Sequence, residues 1–140
     1  MSIERISSPE VTEPSAGLWS NCLRVGDLVF VSGLTARDKS LQASGGDEYA
    51  QAKQIFARMS DLLAAAGGSL ADVVKLTIFV TDIENREEVW RARREVFSGA
   101  FPAASLVEVS ALAQPEIRVE IEAVAMLNQG GRPAEFHGQA

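Results

Sequence analysis

Cysteine occurs once in this chain of 140 residues, as Cys22, and histidine once, as His137. A lone cysteine excludes an intrachain disulfide, and no Cys/His cluster has metal-ligand spacing, so no metal and no cofactor is expected. A reducing, cytoplasmic setting suits such a chain. Basic residues are also scarce: 13 stand against 19 acidic ones, a net charge of -6. With no Lys/Arg stripe anywhere, nothing in the chain attracts a phosphate backbone, and no nucleic-acid partner is expected. Long apolar runs are missing too. None approaches the roughly 20 residues of a membrane span, and the N-terminus lacks the apolar core of a signal peptide. No membrane association is therefore expected, and the mature chain is expected to be the whole chain. There is no internal repeat and no low-complexity segment.

What is present is a hydrophobic content of 46%, enough for one core and one domain over residues 1–127. Residues 128–140 are Gly- and Pro-bearing and unpatterned, which predicts a flexible tail with an incidental His137. The chain is organised around residues 117–126. There Ile117, Val119, Ile121, Ala123 and Ala125 alternate with Arg118, Glu120, Glu122, Val124 and Met126, the period of a strand with one core face. Two acids on a face that turns apolar mark a candidate site. The alternative is that Glu120 and Glu122 point into water, as most strand acids do.

Taken in order, Ile3 to Ile6 reads as a short edge strand, followed by a turn-rich loop. A strand over residues 18–24 then leads through Val25-Gly26-Asp27 into a second over residues 28–32, a hairpin that Gly33 is expected to stop. Residues 35–46 form a polar loop. From Asp47 the apolar residues Ala52, Ile55, Phe56, Met59, Leu62, Leu63 and Ala66 repeat at three and four, a helix that Ser44 or Asp47 caps and Gly67-Gly68 ends. A β-branched strand covers residues 73–81, with Val74, Leu76, Ile78 and Val80 on its apolar face. Asn85-Arg86-Glu87-Glu88 has the form of a capping box, opening a helix that runs to about Ser98 with Val89, Ala92, Val96 and Phe97 as its core stripe. Trp90 and Arg93 share a neighbouring face that lines a cleft or packs at an interface. A strand over residues 104–109 is expected to pair antiparallel with the last one. The class is α+β, a sheet of about six strands with two helices on one face, leaving a bare face with Phe79, Val124 and Met126 for another subunit to cover.

The order and spacing of Val25-Gly26-Asp27-Leu28-Val29-Phe30-Val31-Ser32-Gly33, Ala65-Ala66-Gly67, the run at residues 72–82, Phe101-Pro102-Ala103, Val107-Glu108-Val109 and Val119-Glu120-Ile121-Glu122-Ala123 resemble the RidA (YjgF/YER057c/UK114) family. The resemblance spans roughly residues 17–126. It implies a chorismate mutase-like fold with a mixed sheet. It also implies a homotrimer whose sheets form a barrel, and clefts between subunits that hold small carboxylated ligands.

Functional residues transfer unevenly. Active deaminases of the family carry an arginine directly after Phe-Pro-Ala, where this chain has Ala104. The family's cleft asparagine and tyrosine fall at Trp90 and Arg93, and its aromatic before the hairpin falls at Trp19. Ser32 and Glu120 match. The resemblance therefore implies a divergent enamine/imine deaminase with Glu120 as general base. Trp19, Ser32, Trp90, Arg93 and Ala104 then line the substrate site, with Arg93 taking over any carboxylate recognition. Two tryptophan walls favour a larger conjugated substrate of the aminomuconate type. The loss of the arginine at Ala104 favours another class instead, a non-catalytic trimeric module that binds small ligands or protects proteins. Ribonuclease activity, also attributed to the family, is disfavoured by the acidic charge.

Overall fold

The computed structural model of the protein, which describes residues 2–128, runs β1 (Ile3–Ile6), β2 (Cys22–Val25), β3 (Leu28–Leu34), α1 (Glu48–Ala66), β4 (Val73–Val80), α2 (Arg86–Val96), β5 (Ala103–Glu108) and β6 (Val119–Met126). These form one mixed sheet of order β1-β2-β3-β6-β4-β5. Both helices pack on one face of it, as the α+β reading expects. The segment at 128–140 lies outside the described residues except for Asn128, and so does His137. Among the described residues, no helix is long and apolar enough to cross a membrane.

The heart of the sheet is β6, antiparallel to both β3 and β4. Its face bearing Val119, Ile121, Ala123 and Ala125 is buried against α1, while Glu120, Val124 and Met126 are half-buried and Glu122 exposed on the other. The expected pairing of β5 with β6 is not what forms. β5 lies parallel to β4 at the sheet edge, because α2 carries the chain back to the end at which β4 began, and a strand after such a crossover runs parallel to the one before it.

Helix α1 forms where the periodicity placed it. Of the two candidate caps, Asp47 is the one used, accepting a hydrogen bond from the Ala50 amide at 2.8 Å. At the other end Gly67 takes φ 97, and the amides of Gly67 and Gly68 donate to Ala64 and Leu63. That left-handed closure is open to glycine at no steric cost. The buried stripe of Ile55, Phe56, Met59, Leu62 and Leu63 packs on Leu76, Ile78 and Ile121. Phe56 also meets Phe97 beyond α2 edge-to-face, with centroids 5.4 Å apart.

Four expectations are corrected. The first strand of the hairpin starts at Cys22, and the loop before it leaves Leu18 and Trp19 exposed. Gly33 does not end β3, which continues to Leu34 through an irregularity between Val31 and Leu34. In β4 a bulge between Val73 and Lys75 shifts the alternation, so Val73 and Leu76 are buried and Val74 faces out at 48% exposure. Asn85 forms no side-chain cap on α2, which ends at Val96. A 3-10 turn, Ile83–Asn85, precedes that helix, and the Asn85 amide is already bonded to the Asp82 carbonyl at 3.1 Å. Glu88, with no free amide to reach back to, pairs with Arg91 at 2.7 Å.

Candidate active site

Glu120 is the second residue of β6, paired with Phe79 of β4 on the face away from the helices. On its other side the β3 irregularity brings the backbone of Gly33 beneath the carboxylate. A Cβ at Gly33 would lie 2.4 Å from Glu120 Oε2, inside van der Waals contact, so the acid occupies the space that glycine leaves. Its side chain is half-buried, and its carboxylate accepts no hydrogen bond among the described residues. Burial, reinforced by the Glu122 charge, pushes its pKa above the usual carboxylate value, and Arg37 pulls against that shift.

Ser32 and Trp19 reach the same place by different routes. The Ser32 hydroxyl donates to the Ser20 carbonyl at 2.5 Å, and its amide donates to the Asn21 carbonyl at 2.9 Å. Asn21, almost wholly buried, holds the loop from inside: its amide donates to the Thr12 carbonyl at 3.1 Å, and its Oδ1 accepts from the Trp19 indole N–H at 3.2 Å. Trp19 thus stands over the β3 edge on a braced loop, although more than half exposed. With Gly33, Thr35, Arg37 and Ala113 these residues line an open cleft of about 410 Å³ with Glu120 in its wall.

The remaining sequence-predicted residues do not join it within one chain. Ala104 stands opposite Leu76 on β5. That row is on the helix side of the sheet, three residues along β4 and two strands across from Glu120, roughly 14 Å from strand spacing alone. Trp90 and Arg93 are half-buried on α2. The Arg86 guanidinium sits 5.7 Å from the Trp90 ring centroid. Burial, with Arg94 adding to it, lowers the Arg93 pKa.

Sequence reading missed Gly33, Thr35, Arg37 and Arg58. Arg58 carried a faint signal, since it falls between Ile55 and Leu62 at helical spacing, a cation beside the apolar stripe. Arg37 carried none, because its loop has no periodicity. Cys22 is buried at the start of β2, and burial, with Glu13 adding to it, pushes its thiol up to about 11, which leaves it protonated and inert. No cluster of His, Cys, Asp and Glu able to hold a metal occurs among the described residues.

The model of the family described as Endoribonuclease L-PSP matches residues 10–127. The chain is 33% identical over 125 residues to a human 2-iminobutanoate/2-iminopropanoate deaminase, covering 89% of this chain and 90% of that one. Among solved structures, RidA from an Antarctic Psychrobacter superposes with a TM-score of 0.80 at 30% identity, over 89% of this chain and 99% of that one. A member of the YjgF/YER057c/UK114 family from Mycobacterium tuberculosis superposes with a TM-score of 0.77 at 39% identity, over 90% and 100%. Family model, sequence relatives and structural neighbours agree with the motifs on β3, β4 and β6, and the chain belongs to the RidA (YjgF/YER057c/UK114) family.

Proposed function

We propose that the cleft at Glu120 hydrolyses the C=N bond of small imines, including those reached by tautomerisation of enamines. The observation that carries this reading is the half-buried carboxylate seated on Gly33 with no hydrogen-bond partner among the described residues, its pKa raised above the usual carboxylate value by burial. Relatives at about this distance in sequence are named as imine deaminases. Protonation of the imine nitrogen makes its carbon electrophilic. A water oxygen attacks that carbon while Glu120 takes the proton the water loses and returns it to the departing group. Collapse of the carbinolamine breaks the C–N bond, and its hydroxyl proton leaves with the nitrogen as ammonium. Imine, water and the activating proton thus give a carbonyl compound and ammonium without a redox partner. Ser32, engaged with Ser20, fixes the edge against which the substrate lies, and Trp19 supplies an apolar wall suited to a conjugated substrate.

The assembly proposed for this chemistry is a homotrimer. Phe30 and Val107 are 43% and 45% exposed on the bare sheet face beside Phe79, Val124 and Met126, an apolar surface of the kind that subunit contacts cover. In that assembly Trp90, Arg93 and Ala104 approach the cleft from an adjacent subunit. Ala104, where active family members have arginine, favours the second reading, a trimeric module that binds small ligands without turnover. The test is Glu120→Gln against Glu122→Gln on a panel of conjugated enamines and imines. Hydrolysis is expected to fall about 10²–10⁴-fold in the first, with ligand binding kept, and far less in the second. Equal turnover by Glu120→Gln and wild type would make the acid structural.

A further inference from the structure

The Glu120 cleft continues past Trp19 into a second recess, of about 190 Å³, between the loop before β2, the loop after β3, and α1. Trp19, Gly33, Thr35 and Arg37 line both parts, and Arg58 lines the second. Two guanidiniums therefore converge on one recess, and their hydrogen bonds show how they are held. Arg37 donates through Nε to Thr35 Oγ1 at 2.9 Å and through Nη1 to the Leu41 carbonyl at 3.0 Å. Arg58 donates through Nη1 to the Thr35 carbonyl. Each is fixed to backbone or hydroxyl through other donors of its guanidinium, leaving Nη2 without a hydrogen bond among the described residues.

Neither has a carboxylate within ion-pair distance among the described residues, although acids stand nearby. Asp38 uses Oδ1 on the amides of Ser40 and Gln42, and Glu10 is paired with Lys39 at 3.6 Å. Glu120 faces Arg37 across the first part of the cleft and feels its charge without forming an ion pair, so two like charges kept adjacent and partly desolvated remain a costly arrangement. Arg58 bears the strain: burial first, then Arg37, lowers its pKa. An anion placed between the two Nη2 groups relieves it, and a carboxylate, with two oxygens, can accept from both.

We propose that Arg37 and Arg58 form a carboxylate-binding subsite within the single chain, which receives the acid group of the substrate and sets its C=N carbon against Glu120. This rests on the deaminase reading for the identity of the ligand, and it assigns to α1 and the loop after β3 the work that the family's arginine at the position of Ala104 would do. The subsite's selectivity is for planar carboxylates over their neutral amides.

The test measures binding apart from turnover. Calorimetric titration with 2-oxobutanoate, the hydrolysis product of 2-iminobutanoate, is compared with its neutral amide, 2-oxobutanamide. Wild type and Glu120→Gln are expected to bind the acid at least 10-fold more tightly than the amide. Arg37→Gln, whose amide nitrogen takes the place of the Nε that donates to Thr35, and Arg58→Gln are expected to lose that preference. Equal binding of acid and amide by the wild type would overturn the subsite even if neither variant folds. So would an unchanged preference in both variants, or its loss in Arg93→Gln alone, which would place the carboxylate on α2. If the arginines govern acid binding while no imine is hydrolysed, the subsite stands and the deaminase reading falls. If hydrolysis depends on Glu120 but binding ignores Arg37 and Arg58, the reverse holds.

Discussion

Glu120 shows what a single side chain gains and loses by its position. A carboxyl group whose pKa is raised in the folded protein favours folding most when protonated; that contribution is complete below the ordinary glutamate pKa and is lost as pH rises through the folded value. At neutral pH the ionised group therefore opposes folding. Glu120→Gln is expected to raise the melting temperature at pH 7 and to match wild type near pH 3.5, as thermal scans at the two pH values would reveal; a lower melting temperature at pH 7 would mean the acid is stabilised by a contact. Gly33→Ala tests the seat itself. Its new Cβ meets the movable end of Glu120 rather than backbone, so stability is expected to change little while hydrolysis falls at least 10-fold, read by a denaturation curve beside an ammonia assay. The acid on a patterned strand was legible from sequence, as was Ser32 by resemblance. Arg37 and Arg58 were not, because they meet only when a patternless loop folds back on α1, and no local spacing encodes that encounter.

Among elements, α1 and β6 were legible because each carries one uninterrupted period. Asp47 at the N-cap of α1 satisfies the Ala50 amide, and Asp47→Ala is expected to cost about 0.5–2 kcal/mol, measured by urea denaturation, with no effect on the cleft some distance away. What the sequence hid were places where the period slips. The bulge at Val74 turns one β-branched residue outward without altering composition, and an extra residue in a strand has no signature when its neighbours are all Val, Leu and Lys. The irregularity at Ser32 and Gly33 is of the same kind and matters more, since it brings the glycine under Glu120. The strand order was hidden for another reason. Adjacency in sequence suggested that β5 pairs with β6, whereas the α2 crossover sends β5 to the edge and leaves the central slot, between β3 and β4, for β6.

At the scale of the whole molecule, the two helices cover one face of the sheet and leave Phe30, Val107, Val124 and Met126 on the other. The proposed trimer accounts for that face. Phe30→Asp is expected to give a folded monomer with an unchanged helical signal, since the side chain points away from the core; light scattering that still finds a trimer would remove Phe30 from the interface. In the proposed trimer, assembly and chemistry are linked, because there Trp90 and Arg93 meet the Glu120 cleft across subunits. The most direct measurement is ammonia release at pH 7 from 2-iminobutanoate generated in situ, with the wild-type assembly and Glu120→Gln side by side. Release well above the rate in buffer is expected for the wild type and a rate about 10²–10⁴-fold lower for the variant; no acceleration by the wild type, or equal rates for the two proteins, would contradict Glu120 as the base of an imine deaminase.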